Sequence, residues 1–197
     1  MNWWGKLKES GDCRLNSVHP ETRKEEVGMA ETGIMDQVVK RLADREGKYL
    51  TFSLAMEEYG IGILKIKEIV GMIPVTTIPG TPAHVKGVVN LRGKVIPVLD
   101  LRLRFGLKAM GYTDRTCIIV VETEGPSGAL TIGLVVDSVS EVLNIHKEDI
   151  ENPPEFGSKL NIDFILGMAK INGGVKILLD IDKVLTADEA ALVKEAA

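Results

Sequence analysis

Residues 87–101 and 167–181 carry the same pattern, and this repeat restricts the fold more than any other feature of the chain. Gly87-Val-Val-Asn-Leu-Arg-Gly-Lys-Val-Ile-Pro-Val-Leu-Asp100-Leu101 aligns without a gap over Gly167-Met-Ala-Lys-Ile-Asn-Gly-Gly-Val-Lys-Ile-Leu-Leu-Asp180-Ile181. Gly87/Gly167, Gly93/Gly173, Val95/Val175, Leu99/Leu179 and Asp100/Asp180 are identical, and most other pairs stay apolar. Self-similarity of this length means one supersecondary unit built twice. Each copy reads as two short apolar strands around a turn: Asn90 to Gly93 in the first, Asn172-Gly173-Gly174 in the second. A weaker echo lies upstream, where Ile66-Lys67-Glu68-Ile69-Val70 matches Val139-Ser140-Glu141-Val142-Leu143. Glycine-bearing apolar strands precede both, Tyr59–Ile63 and Thr131–Val135.

The remaining elements are mostly strands. Lys48–Ala55 alternates, with Leu50, Phe52 and Leu54 on one face and Tyr49, Thr51 and Ser53 on the other. Thr116–Val121 is continuously apolar and reads as buried on both faces. Pro97 lacks an N–H, which places its strand at an edge or a bulge. Thr81-Pro82 predicts the start of a short helical turn that Gly87 ends, and Asp100 and Asp182 are placed to cap single turns. Ile34, Val38 and Leu42 predict an amphipathic helix over about residues 31–46, and a capping box at Thr186–Glu189 opens a C-terminal helix over 186–197. Residues 1–28 lack periodicity and read as loose, with Trp3 and Trp4 unexplained. Many short strands with sparse helix point to small barrels, and the repeat suggests one per half, sharing a core over residues 47–185.

Composition narrows the function. No apolar run reaches the roughly 20 residues of a membrane helix. Cys13 and Cys117 have no metal or redox spacing, and Cys117 reads as a buried apolar side chain, which suits a reduced, cytoplasmic protein. A net charge of −4 argues against nucleic acid. Residues 47–105 hold eight Lys/Arg and four Asp/Glu (+4), whereas 106–197 hold eight and fifteen (−7). Such asymmetry suits a protein that meets two different partners, although chance partition explains it equally well. His19, His84 and His146 have no metal spacing, and no nucleophile elbow, Walker loop or dinucleotide loop is present. Glu57 and Glu58 point apart, and Asp137 and Glu141 read as capping or solvated residues. The chain therefore reads as a protein with no catalytic residues, metal site or cofactor.

The two copies separate scaffold from function. Gly93 and Gly173 match, so that glycine serves the turn. Arg92 stands opposite Asn172, Asn90 opposite Lys170 and Lys94 opposite Gly174. Lys65-Ile66-Lys67-Glu68 likewise carries more charge than Ser138-Val139-Ser140-Glu141. Both surpluses fall in the first half, which favours a binding face there over drift on a solvated surface.

Residues 59–69, 87–101 and 133–142, taken together, resemble the CheW family of bacterial chemotaxis coupling proteins over about residues 47–185. The Asn90-Leu91-Arg92-Gly93 element with Ile96-Pro97 and Asp100 is the most specific part. The leader 1–46 is longer than is usual for the family: either it is a genuine extension, or Met29 or Met35 is the real start. The resemblance implies a mainly β fold of two intertwined five-stranded Src-homology-3-like barrels with a few short helices. It implies a non-enzymatic adaptor between the cytoplasmic hairpin tip of methyl-accepting chemoreceptors and the regulatory domain of the histidine kinase CheA. Such an adaptor is cytoplasmic, monomeric on its own, and recruited into membrane receptor arrays. The same module in a pilus or second-messenger circuit is the alternative. By the same resemblance, Ile66, Glu68 and Arg92 belong to the receptor groove, with Asn90 beside them and apolar lining near Ile63, Ile66 and Val88. The neighbourhood of Gly60, Gly62 and Gly87 belongs to the kinase contact.

Overall fold

The structure is a computed structural model and describes residues 45–125, 128–154, 163–185 and 189. The leader with Trp3 and Trp4, and all but the edges of the two expected terminal helices, lie outside the described residues. Among the described residues, no helix is long and apolar enough to cross a membrane.

The chain runs through β1 (Gly47–Leu54), β2 (Glu57–Gly62), β3 (Ile66–Gly71), β4 (Val85–Leu91), β5 (Lys94–Asp100) and α1 (Leu101–Arg104). It continues through β6 (Cys117–Gly125), β7 (Gly128–Val136), β8 (Ser138–Ile145), β9 (Ile150–Glu151), β10 (Ile165–Ile171) and β11 (Gly174–Leu179). Short 3-10 turns at Ile63–Lys65, Lys147–Asp149 and Ile181–Lys183 punctuate the strands. The second half thus repeats the first: β6 stands for β1, β7 for β2, β8 for β3, β10 for β4 and β11 for β5.

The repeats do not fold one per half. One sheet has the order β8-β1-β2-β11-β10-β9 and the other β3-β6-β7-β5-β4. Each sheet takes the opening hairpin of one half and pairs it with the third strand and closing hairpin of the other. These are the two intertwined five-stranded barrels that the family resemblance implies, with two-residue β9 as a sixth strand in one. Each sheet also holds one parallel pair, β2 with β11 and β5 with β7. A tight turn cannot join parallel neighbours, so different halves supply the two members. The excess positive and negative charge of the two sequence halves therefore does not sort onto two bodies.

The core follows the exchange. The largest apolar cluster joins Leu50, Phe52 and Ile61 of one sheet to Leu99, Ile119 and Leu134 of the other. A stack of rings crosses it: Phe52 to Tyr59 at 5.8 Å, Tyr59 to Phe105 at 5.6 Å and Phe105 to Phe164 at 4.9 Å. Smaller clusters fill each sheet separately, around Val98, Ile118 and Val120 in one and around Tyr49, Ile145 and Leu178 in the other. Strand β1 is accordingly buried on both faces, and its second face holds Tyr49 and a Thr51 hydroxyl that donates to the Glu141 carbonyl at 2.9 Å. Thr116–Val121 is buried apart from Cys117, which is partly so. Burial pushes the Cys117 thiol up, against a weaker opposing backbone hydrogen bond at Val139.

Four local expectations need correction. Strand β5 is interior, between β4 and β7. Pro97 is tolerated there because Val88 opposite it spends both backbone groups on Thr76, and β7 pairs only from Val98 onward. Thr81 opens no helix; its hydroxyl donates to the Ile78 carbonyl at 2.9 Å within a turn. Gly87 ends nothing either. It sits buried at a bulge in β4 with φ +133°, where a Cβ would lie 2.0 Å from the Thr76 carbonyl oxygen. Gly167 occupies the matching β10 bulge without a positive φ, and a Cβ there would meet Ile150 Cγ2 at 2.8 Å and the Glu151 carbonyl oxygen at 3.1 Å. Asp100 caps α1 by accepting from Leu103 N–H at 3.3 Å, but Asp182 caps nothing.

Asp182 is instead a clip between the halves. Its carboxylate accepts from Lys65 Nζ at 2.7 Å and from Glu124 N–H at 2.8 Å. Burial alone would raise the Asp182 pKa, but the Lys65 and Glu124 hydrogen bonds with the Lys65 charge outweigh it and leave it below 3.8. The hydrogen bond to Asp182 chiefly raises Lys65 above 10.5. The contribution of Asp182 is therefore present above 3.8 and lost as pH falls through its lowered folded value; that of Lys65 is present below 10.5 and lost as pH rises through its raised one. The difference in unfolding midpoint between the native chain and Asp182→Asn should stay constant through neutral pH and close below 3.8. Thermal melts at stepped pH check this; a difference that stays open in strong acid would show that the carboxylate charge is not what Asp182 contributes.

Candidate functional site

The first repeat's hairpin closes with two residues rather than four, because Leu91 pairs with Lys94 and only Arg92 and Gly93 lie between them. Arg92 has φ +53° and Gly93 φ +84°, which is the pattern of a type I′ turn. Asn172 and Gly173 repeat it at +53° and +77°. Asparagine tolerates this left-handed geometry, whereas a longer side chain pays about 1–2 kcal/mol for it. The sequence therefore puts an arginine where the backbone disfavours one. Strain held in this way is a pointer to function. Asn90 supports the turn, since its side-chain oxygen accepts from Gly93 N–H at 2.9 Å. The equivalent Lys170 instead pairs with Glu151 at 2.6 Å.

Beside the tip, a groove of about 790 Å³ crosses the five-stranded sheet. Leu91, Val95 and Ile96 from the hairpin form one wall, Lys67 and Glu68 of β3 the other. Val120 and Glu122 of β6 and Ala129–Thr131 of β7 complete it. Arg92 Nη2 donates to Glu68 Oε2 at 2.7 Å, with the Arg92 side chain 81% exposed and Glu68 26%. Lys67 Nζ lies 2.5 Å from Glu122 Oε2, a second pair in the groove lining. Exposed pairs of this kind contribute at most about 1 kcal/mol to stability. Together they set four charged side chains around an apolar interior.

Glu68, Asn90 and Arg92 are thus brought together at one tip. Ile66 is not part of the groove wall; with Ile63 it packs, half-buried, against the largest core cluster. Val88 lies on the Thr76 side, so the apolar lining comes from Leu91, Val95 and Ile96 rather than from Ile63, Ile66 and Val88. Sequence reasoning missed the β6 and β7 walls, because they belong to the other half. Their one sequence signal is Glu122, a charge that follows directly on a buried apolar strand.

The three glycines divide differently. Gly60 and Gly87 are buried, and a Cβ on Gly60 would meet Leu178 at 3.0 Å. Both present little surface to a partner. Gly62 ends β2 with nothing within 4 Å of a Cβ, next to Leu64, which is 95% exposed. Of the two carboxylates read as capping or solvated, Asp137 accepts from Arg102 and from Ala55 N–H at 2.7 Å and so pins the β1–β2 turn. Glu141 is reached through its backbone, at Thr51.

Residues 48–189 match the model of the CheW-like domain. The chain belongs to the CheW family. The chemotaxis protein CheW of Klebsiella aerogenes is 41% identical over 150 residues, covering 76% of this chain and 88% of that protein. The chemotaxis protein CheW of Rhizobium meliloti is 34% identical, covering 79% and 97%. The crystal structure of the scaffolding protein TtCheW from Thermoanaerobacter tengcongensis superposes with a TM-score of 0.65 at 37% identity, covering 73% of this chain and 97% of that one. The CheW fold, mainly β in two sheets, is the one described above.

Proposed function

We propose that this chain is a chemotaxis scaffold that couples methyl-accepting receptors to a CheA-type histidine kinase without catalysing a reaction. The single observation that carries the reading is the groove beside Arg92: an apolar floor between ion pairs, on a chain that belongs to a family of proteins named for chemotaxis. A groove of this build suits an amphipathic helix, whose apolar stripe fills the interior while the rim fixes its register. The cytoplasmic tip of a receptor, a helical hairpin, is such a partner. Arg92 and Glu68 set orientation and rate of encounter more than raw affinity. The kinase regulatory domain would meet the surface at Gly62 and Leu64, where an apolar side chain stands free next to a glycine. The adaptor acts in the cytoplasm and is held at receptor arrays by these contacts. The alternative, the same module in a pilus or second-messenger circuit, is not favoured by relatives named chemotaxis proteins.

Co-sedimentation tests the reading. The full chain, mixed with a receptor cytoplasmic fragment and the CheA-type kinase of the same genome, should form a ternary complex in which kinase autophosphorylation responds to the receptor. Nucleotide turnover by the purified chain, or failure to join receptor and kinase, would overturn it.

A further inference from the structure

The charges of the groove balance at every position but one. Lys67 is paired with Glu122 and Arg92 with Glu68. Lys94, the first residue of β5, also lines the groove and is exposed, and among the described residues it has no ion-pair or hydrogen-bond partner. The hairpin does not need it, since the second copy makes the same turn with Gly174 in its place. Lys94 thus adds one uncompensated positive charge to an otherwise neutral rim, separated from Arg92 only by the turn glycine.

We infer that Lys94 is a specificity-determining residue, and that the helix seated in this groove presents a carboxylate to it. The inference rests on reading the groove as the receptor site and adds the chemistry of the contact. A helix laid over Leu91, Val95 and Ile96 would strip water from the ammonium, and removing a charge from water without a counter-charge is unfavourable. Aspartate or glutamate at the edge of the helix's apolar stripe meets that need. The paired carboxylates, Glu68 and Glu122, are already engaged and repel a second acid placed elsewhere on the rim. Lys94 therefore selects where along the groove the acidic residue sits, and with it the register of the helix.

Binding of the full chain to a receptor cytoplasmic hairpin fragment from the same genome, measured across ionic strength, tests this. Lys94→Gln should weaken binding several-fold and flatten its salt dependence. Lys94→Glu should weaken it by roughly tenfold or more, mainly through slower association, because like charges meet. An Asp→Lys or Glu→Lys change at one position of the hairpin should restore binding to Lys94→Glu. All variants should keep the native unfolding midpoint, as the position is exposed. Native binding that Lys94→Glu leaves unchanged in strength and salt dependence would overturn the inference and leave the receptor reading standing. A native chain that fails to bind the hairpin would overturn both.

Discussion

Arg92→Glu should reduce binding to the receptor hairpin by about 100-fold or more while leaving the fold intact. The reversal sets two carboxylates against each other, since Arg92 now reaches Glu68 at 2.7 Å. Reversing a rim charge turns steering into repulsion and slows association, and like charges set against each other across an interface cost several kcal/mol, as an order of magnitude about 2 kcal/mol or more here. Stability should barely move, because the Arg92 side chain is 81% exposed and the pair it forms is worth under about 1 kcal/mol. Arg92→Asn sharpens the test. Asparagine suits the left-handed turn position, as Asn172 shows at the same φ of +53°. This variant should bind as poorly as other Arg92 losses yet melt a few degrees higher, since about 1 kcal/mol corresponds to roughly 2–4 °C at this size. Isothermal titration with parallel thermal melts reads both quantities. A tightly binding Arg92→Glu chain would remove the groove from consideration as the receptor site.

Among the described glycines, Gly87→Ala should have the largest effect on stability. The added Cβ would fall 2.0 Å from the Thr76 carbonyl oxygen and 2.9 Å from Thr77 Cα, and φ is +133°. Both obstacles are backbone, so neither can swing aside as a side chain would. The strand must then give up the Thr76–Val88 bridge, whose two hydrogen bonds are 2.8 and 2.9 Å. A loss of about 3 kcal/mol is expected, roughly 6–12 °C in unfolding midpoint. Any loss of partner binding should follow from that instability, because Gly87 is buried. A Gly87→Ala chain that melts normally but no longer binds kinase would instead make Gly87 part of the kinase contact.

The repeat made the succession of strands along the chain legible, because matched glycines and apolar positions in two copies demand the same hairpin twice. Arg92 was legible as the odd residue of the pair, standing where the second copy has Asn172. The strain that gives this difference its force was not, since φ is a property of the folded turn. The alternation in β1 misled in part: Tyr49 and Thr51 look like an outer face, but the sheet buries them against Ile145 and Glu141. Pro97 misled for a related reason. A missing N–H forbids only the hydrogen bond it would have made, and Thr76 relieves Val88 of that bond.

By itself, the sequence determined that this protein is mainly β, built twice, with one charged hairpin tip and one plain one. Those properties live in short stretches, where spacing and residue type are enough. Only the tertiary structure decided that the halves exchange strands and that the groove needs Val120, Glu122 and Ala129–Thr131 from the far half. It likewise decided that Glu68 faces Arg92 across 2.7 Å. These depend on which strands lie side by side, and that is settled by the shared core between the two sheets, which no local pattern encodes.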